Sequence, residues 1–560
     1  MALADWQWSL RRAAALRTIW SRRSRYRRLV SWKLVPIIYR EFNSPLKHIP
    51  GPANESWFRG NGRAIDQEDH AVPQERWVKE ANSKTITYKA FLGVGRLWTM
   101  DLRAVNHVLT HSNVYQKPVQ QRGALIQIIG NGVLATEGET HRKQRRIMNP
   151  AFGPAQIREL TGIFVDKSNE LRDVWAREID AADGQSARLD VLSWLSRMTL
   201  DVIGLAGFNY KFDSLNPRDG EPNELSKAFS TIFSPSGVTM LQILRFIFPV
   251  LRHFPDARMR EANNAQAVMR RIGLELIAEK KAAIRRETAE GKAEKDGVAR
   301  SDVRGRDLLT LLLKANMATD IPDSQRLTDD EVVDQVPTFL VAGHETTSTS
   351  TTWALFALAL APAIQDKLRA ELLAVPTDTP SMDELAALPY LDMVVRETLR
   401  VHAPVPTIFR EAQEDDVIPL AEPFVDRAGV ARTSVRVTKG TPVVVPVLAI
   451  NRSTELWGAD AFAFRPERWA SVPEGVSGVP GVWAHIMSFI GGPRACIGYR
   501  FSLIEMKALL FALIRAFEFE LAVPAESIQK KSAIVQRPII QGEPEKGSQM
   551  PMIIRRVKRV

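Results

Sequence analysis

A single cysteine, Cys496, stands in a chain of 560 residues. One thiol forms no internal disulfide and no cysteine-rich zinc site, so a secreted disulfide scaffold is excluded. An inert buried position, a nucleophile and a metal ligand remain open for it. Long hydrophobic runs are also missing. The longest charge-free stretch considered, Thr346–Gln365, begins with seven consecutive Ser/Thr residues, so it suits a buried central helix better than a membrane span. Just before it, AGHETTSTS (Ala342–Ser350) has the His-Glu start of a zinc-protease helix, with Ser348 where the second histidine would stand. GVGRLW (Gly93–Trp98) lacks the third glycine and the following helix of a dinucleotide loop. HVLTH (His107–His111) pairs two histidines without the glutamate or a visible third ligand, which favours two satisfied side chains over a metal site.

Acidic residues are scarce in one place only. Residues 1–40 hold ten Lys/Arg and one acid, Asp5, a net +9 out of +11 for the whole chain. The other 520 residues are nearly neutral, which argues against a nucleic-acid-binding domain. The leader, residues 1–47, is rich in Trp and Arg and lacks the roughly 20 apolar residues of a spanning helix. An interfacial amphipathic anchor, a mitochondrial transit peptide and a disordered basic tail compete for it.

What is present is ordinary globular composition: 45% apolar and 25% charged residues. HIPGPANESW (His48–Trp57) is a proline-stiffened hinge, and TITYKAFLG and GRLWTMD alternate like short strands. Helical periodicity then dominates to about residue 400. Arg285–Asp307 is charged and Gly-containing, a solvated connection. Thr328 with Glu331, and Ser381 with Glu384, form capping-box patterns; Pro337 should kink the one long helix that follows Thr328. β-rich pieces and a Pro/Gly-rich loop then lead into a last long helix. No linker divides residues 48–560, so the chain is expected to be one domain behind the leader.

FIGGPRACIG holds Phe489, Gly492, Arg494, Cys496 and Gly498 in F-x-x-G-x-R-x-C-x-G register. A cysteine just before a helix gains N–H groups and the positive end of the helix dipole, which favour its thiolate. Glycines let the backbone turn sharply and approach a flat cofactor. An arginine beside them can pair with a carboxylate.

This loop resembles the haem-binding loop of the cytochrome P450 family, in the style of its fungal microsomal-type members. Three further segments match in the family's order. ETLR (Glu397–Arg400) is similar to its E-x-x-R helix. FRPERW (Phe464–Trp469) is similar to the segment whose arginine, here Arg468, completes a triad with Glu397 and Arg400. AGHETT is similar to the oxygen-activation segment, and EGETHRKQRRIMNPAF (Glu137–Phe152) to the helix that reaches a haem propionate. The usual W-x-x-x-R there has His141 and Arg145 at its Trp and Arg positions.

The resemblance implies a mainly α fold with small β-sheets, with haem b between the long central helix and the cysteine-loop helix. It implies Cys496 as the thiolate ligand of iron, and Arg145, His141, Arg410, Arg494, Phe489 and Gly498 as the haem's holders. Small Ala342 and Gly343 would leave room over the haem face. Thr346 would be the alcohol that handles oxygen, Glu345 would supply protons through water, and His344 would face away from the iron. The activity implied is insertion of one oxygen atom of O2 into a lipophilic molecule (a terpenoid, sterol or aromatic, in secondary metabolism). Electrons would come from an NADPH–cytochrome P450 reductase, with cytochrome b5 as an alternative donor. The implied setting is the cytosolic face of the endoplasmic reticulum membrane. GALIQIIGNGVLA, VPTIF and AIVQ are candidate substrate-pocket segments, and Gly237–Phe254 a candidate membrane-touching lid. A haem-thiolate isomerase, dehydratase or peroxide user is the alternative, and a non-haem enzyme with Cys496 as nucleophile near His485 a third.

Overall fold

Two capping boxes show how local sequence starts the helices. Thr328 accepts from the Glu331 N–H while the Glu331 carboxylate accepts from the Thr328 N–H, and Ser381 with Glu384 repeats the arrangement. Each box satisfies two of the donors a helix start leaves over. The segment after Thr328 is not one helix, however. It runs as a short piece, Asp329–Val333, turns at Asp334, and resumes as the central helix, Gln335–Ala359. Pro337 accounts for the break: it has no N–H to give the carbonyl four residues back, that of Val333.

The computed structural model of the chain describes residues 43–216, 224, 225, 227, 228, 256–289, 307–317, 322–532 and 534–557. The leader up to residue 42, the candidate lid Gly237–Phe254, most of the charged connection and Ala533 lie outside the described residues.

The central helix is buried almost throughout. Apart from its last residue, only Val341, Ala342, Gly343 and Thr346 escape full burial. One side packs along the helix Val191–Phe208. That helix is long and apolar enough to cross a membrane, but it lies mostly inside the core and carries buried Thr199 and Asp201. The final long helix, Tyr499–Ala516, packs on Pro154–Ala182 and on the central helix. Phe164 and Phe501 meet edge to face there, 4.7 Å between ring centres.

A five-stranded sheet stands beside the helices. Its order is Thr85–Lys89, Gly95–Thr99, Pro442–Val445, Ile408–Ala412, Tyr115–Gln116, with one parallel pairing, between Gly95–Thr99 and Pro442–Val445. Alternate residues of these strands, such as Leu97, Val443 and Val445, enter a second apolar cluster separate from the helical core. The other face, with Ile86, Trp98 and Val444, enters a third apolar cluster, and Arg410 stands in register with Val443. The arrangement is mainly α with small β-sheets.

Candidate active site

The cysteine loop is held by close backbone approach. Gly492 has φ +73°, and a Cβ there would lie 2.7 Å from the Leu109 carbonyl oxygen. At Gly491 a Cβ would lie 2.0 Å from the Pro480 carbonyl oxygen. The loop closes when the Cys496 N–H donates to the Phe489 carbonyl at 3.0 Å. The Gly498 N–H and the Arg145 charge both favour the Cys496 thiolate, but burial outweighs them and pushes the thiol up. The helix-start position therefore does not by itself ionise the sulfur. Cys496 is nonetheless accessible as a residue.

The open stretch of the central helix meets the cysteine loop at a cavity lined by both Thr346 and Phe489. The Thr346 hydroxyl donates to the Ala342 carbonyl at 2.8 Å. This small cavity joins Thr346, Thr347 and Ser350 to Leu399, Phe489, Ser502 and Met506. Gly343 has a second use. A Cβ there would come within 2.9 Å of Ile203 Cδ1, so its smallness also lets the two helices pack. His344 points toward that neighbouring helix, its Nε2 2.8 Å from Ser196 Oγ. Burial holds its pKa down at about 4, so the ring is neutral. Glu345 forms an ion pair with Arg537, from the strand Gln536–Ile540.

A basic cluster lies against the cysteine loop, where Arg145 reaches the Ala495 carbonyl. Arg410 stands on the strand Ile408–Ala412 and is buried; its guanidinium donates to the Phe409 carbonyl, and no carboxylate pairs with it among the described residues. Burial alone pulls its pKa down to about 10. Lys117 follows the neighbouring strand, and Arg494 comes from the cysteine loop. Both pair with Glu137, Lys117 at 3.1 Å. Arg145 donates to the Ala495 carbonyl at 2.7 Å and to Asn149 at 2.8 Å. Burial, then Arg410 and Arg494, drive Lys117 down to about 6; burial, then Lys117 and Arg145, drive His141 down to about 4. Lys117 and Arg494 thus share one carboxylate, while Arg145 and Arg410 have none among the described residues. The site is short of negative charge.

Behind the loop, Glu397 receives both arginines. Arg400 donates through Nε and Nη2 at 2.9 and 2.8 Å, and Arg468 through Nε at 2.9 Å. Trp469 Nε1 adds a bond at 3.1 Å, and Arg468 also reaches Asp460 at 3.1 Å. Glu397 and Arg400 are fully buried. Two cations against two carboxylates, with the spare donors on backbone carbonyls, meet the condition for burying such a network.

A sequence model of the cytochrome P450 family matches residues 50–540. The chain belongs to the cytochrome P450 family. It is 58% identical over 526 residues to cytochrome P450 monooxygenase 205 of Postia placenta, covering 94% of this chain and 95% of that one. It is 53% identical over 539 residues to monooxygenase 128 of the same organism, covering 95% and 97%. Cytochrome P450 monooxygenase claQ of Ampulloclitocybe clavipes is 36% identical over 518 residues, covering 91% and 93%.

A P450 carries haem whose iron is bound by a cysteine thiolate. In this chain only Cys496 can be that ligand. The residues present fit the group. Cys496 is accessible beside the Arg145 charge, the central helix is open at Ala342 and Thr346, and the buried cluster lacks the negative charge that two propionates would bring. Lys117, Glu137 and Arg537 were not singled out from the sequence. Glu137 opens the quoted propionate segment, and Arg537 stands one residue past AIVQ, but a lone charge beside a motif carries no signal until the fold supplies its partner.

Proposed function

We propose that this P450 oxidises a lipophilic small molecule with O2 and electrons from an NADPH–cytochrome P450 reductase or cytochrome b5. The observation that carries the reading is the pairing of a cysteine loop with an open Ala342–Thr346 face across one apolar cavity. Bound haem supplies oxygen activation at a thiolate-ligated iron. The chain's part is to bind, to exclude water and to deliver protons. Arg410, Arg145, His141, Arg494 and Lys117 hold the propionates, and Phe489 and Gly498 shape the sulfur side. Thr346 holds a hydroxyl at the reacting face, and Glu345, once released from Arg537, relays protons to it through water. The Glu397–Arg400–Arg468 triad is structural.

Leu399, Pro404, Phe489, Leu503 and Met506 give the cavity apolar walls, which supports a lipophilic substrate such as a terpenoid, sterol or aromatic of secondary metabolism. The Trp- and Arg-rich leader supports peripheral attachment to the cytosolic face of the endoplasmic reticulum membrane. The test is a reduced, carbon-monoxide-bound absorption spectrum of the purified holoenzyme. A Soret band shifted as in a thiolate-ligated haem is expected; an unshifted band overturns the reading. One observation favours a second reading. Glu345 is committed to Arg537, so a reaction needing no reductase-driven proton delivery, with peroxide as oxidant, suits the same site. Product formed from hydrogen peroxide alone, and none with reductase and NADPH, would decide for it.

A further inference from the structure

A second cavity lies at the C-terminal end of the central helix. It holds about 440 Å³, a volume typical of small-molecule sites. It shares no lining residue with the cavity at the cysteine loop. Phe356, Leu360, Phe462 and Phe464 give it apolar walls. Leu360 and Phe462 leave 52% and 50% of their surface exposed, so the cleft opens outward and keeps apolar surface wet.

Three nitrogen-bearing side chains line the same cleft: Arg452, Lys530 and His402. Arg452 follows the short helix Val447–Asn451, and its Nε donates to the Val401 carbonyl at 2.8 Å. Its Nη2 donates to the same carbonyl, which leaves Nη1 for another acceptor. Lys530 stands on the strand Ile528–Ser532, its ammonium 5.3 Å from the centre of the Trp353 ring. His402 stacks on that indole, also at 5.3 Å. Burial keeps the imidazole neutral, and its Nδ1 is buried with no protein partner.

Neither cation closes a salt bridge among the described residues. Asp69 accepts only from the Lys530 backbone N–H, at 3.3 Å. Burial, then the Arg452 charge, pulls Lys530 down to about 8. Burial pulls Arg452 itself down to about 10, although Glu75 and Asp69 act against it from a distance. Two partly desolvated cations are therefore held near each other without an anion between them, which is unfavourable until one arrives. A small inorganic anion would meet the charges and leave the apolar walls wet. A neutral lipid would cover the walls and leave the charges unmet. Nη1 and the ammonium match the two oxygens of a carboxylate.

We propose that this cleft is a second ligand site, separate from the haem pocket, for an amphiphilic carboxylate of fatty-acid type. Its head lies between Arg452 and Lys530 and its chain along Phe356, Leu360, Phe462 and Phe464. The site binds; no bond forms or breaks there.

Calorimetric titration of full-length holoenzyme with dodecanoate, below its micelle concentration, tests this. The haem pocket is first saturated with an iron-ligating azole, econazole. One dodecanoate should still bind, leaving the azole Soret band in place. Dodecanol and acetate should each bind at least roughly tenfold more weakly, since each lacks one half of the chemistry. Lys530→Gln and Leu360→Glu should each weaken dodecanoate by roughly tenfold or more, and Lys530→Arg should bind it as wild type does. All three variants should keep the thiolate-type carbon monoxide band and wild-type azole affinity; Leu360 is half exposed, so its change leaves the core intact. Loss of dodecanoate binding in the azole-saturated protein would place the ligand in the haem pocket and overturn the proposal. Acetate or dodecanol binding as tightly as dodecanoate would overturn it too, as would wild-type affinity in both weakening variants. Dodecyl phosphate binding more than roughly tenfold tighter than dodecanoate would make the site one for a phosphate headgroup and overturn the carboxylate assignment.

Discussion

At the scale of single residues, charge supply decides more than motif membership. Arg410 is a buried cation with no carboxylate among the described residues, so in the haem-free chain it is a liability. Arg410→Leu should therefore raise the melting temperature of haem-free protein. The same change removes a charge-assisted hydrogen bond, worth about 1.5–3 kcal/mol, from haem binding. Haem affinity should fall roughly tenfold to a hundredfold, measured by transfer of haem to apomyoglobin. A fall in both quantities would mean that Arg410 is structural and not a propionate holder. Thr346→Ala is expected to keep haem and the thiolate-type spectrum while diverting electrons from product to peroxide, by roughly tenfold in peroxide per NADPH. Unchanged coupling would remove Thr346 from the oxygen chemistry.

Helix and loop placements follow rules that act over a few residues. Both capping boxes, the strands around residues 85–99 and the loop into the last helix could be read because each depends on neighbours three or four positions away. The break at Asp334 was harder. The proline was visible, but whether a lost hydrogen bond bends a helix or splits it depends on what packs alongside. The E-x-x-R pair could be read from spacing, whereas Asp460 and the Trp469 indole, which complete its bonding, come from distant turns. Glu137 with Lys117, and Glu345 with Arg537, join strands to helices, and such pairs leave no mark on either segment alone. The triad is the element-scale test. Glu397→Gln leaves two buried arginines short of an anion and should destabilise the holoenzyme by about 3–5 kcal/mol, seen as a lower urea midpoint in tryptophan fluorescence. In the loop, Gly492→Ala meets both a left-handed φ and a carbonyl at 2.7 Å, so it should cost about 1–3 kcal/mol and lower haem retention.

For the whole molecule, buried histidines set the acid limit of stability. His70, His141 and His344 are held down to about 4, each chiefly by burial, and His402 is driven well below its usual value by the same cause. In the unfolded chain each titrates near 6.5. The unfolded state therefore binds more protons wherever pH lies between those values. Stability from these groups is fully present above pH 6.5 and is lost as pH falls toward 4, at about 1.4 kcal/mol per pH unit for each. Glu505 works in the opposite direction. Its raised value makes the folded state the better proton binder, so its contribution grows as pH falls from neutrality. Burial raises Glu75, Asp190, Asp201 and Asp334 in the same sense as Glu505, but just below pH 6.5 the four histidines set the slope, toward instability in acid. With a typical total of about 5–15 kcal/mol, unfolding should set in before pH 4. His344 isolates one share of this slope, since it faces Ser196 and not the basic rim. His344→Gln keeps a partner for Ser196 but removes the titration. Its unfolding free energy, followed in urea from pH 7 to pH 5, should fall more gently than wild type by about 1 kcal/mol per unit below pH 6.5. Equal slopes would show that His344 takes up its proton alike in the folded and unfolded states, and that the acid limit lies with the other three rings.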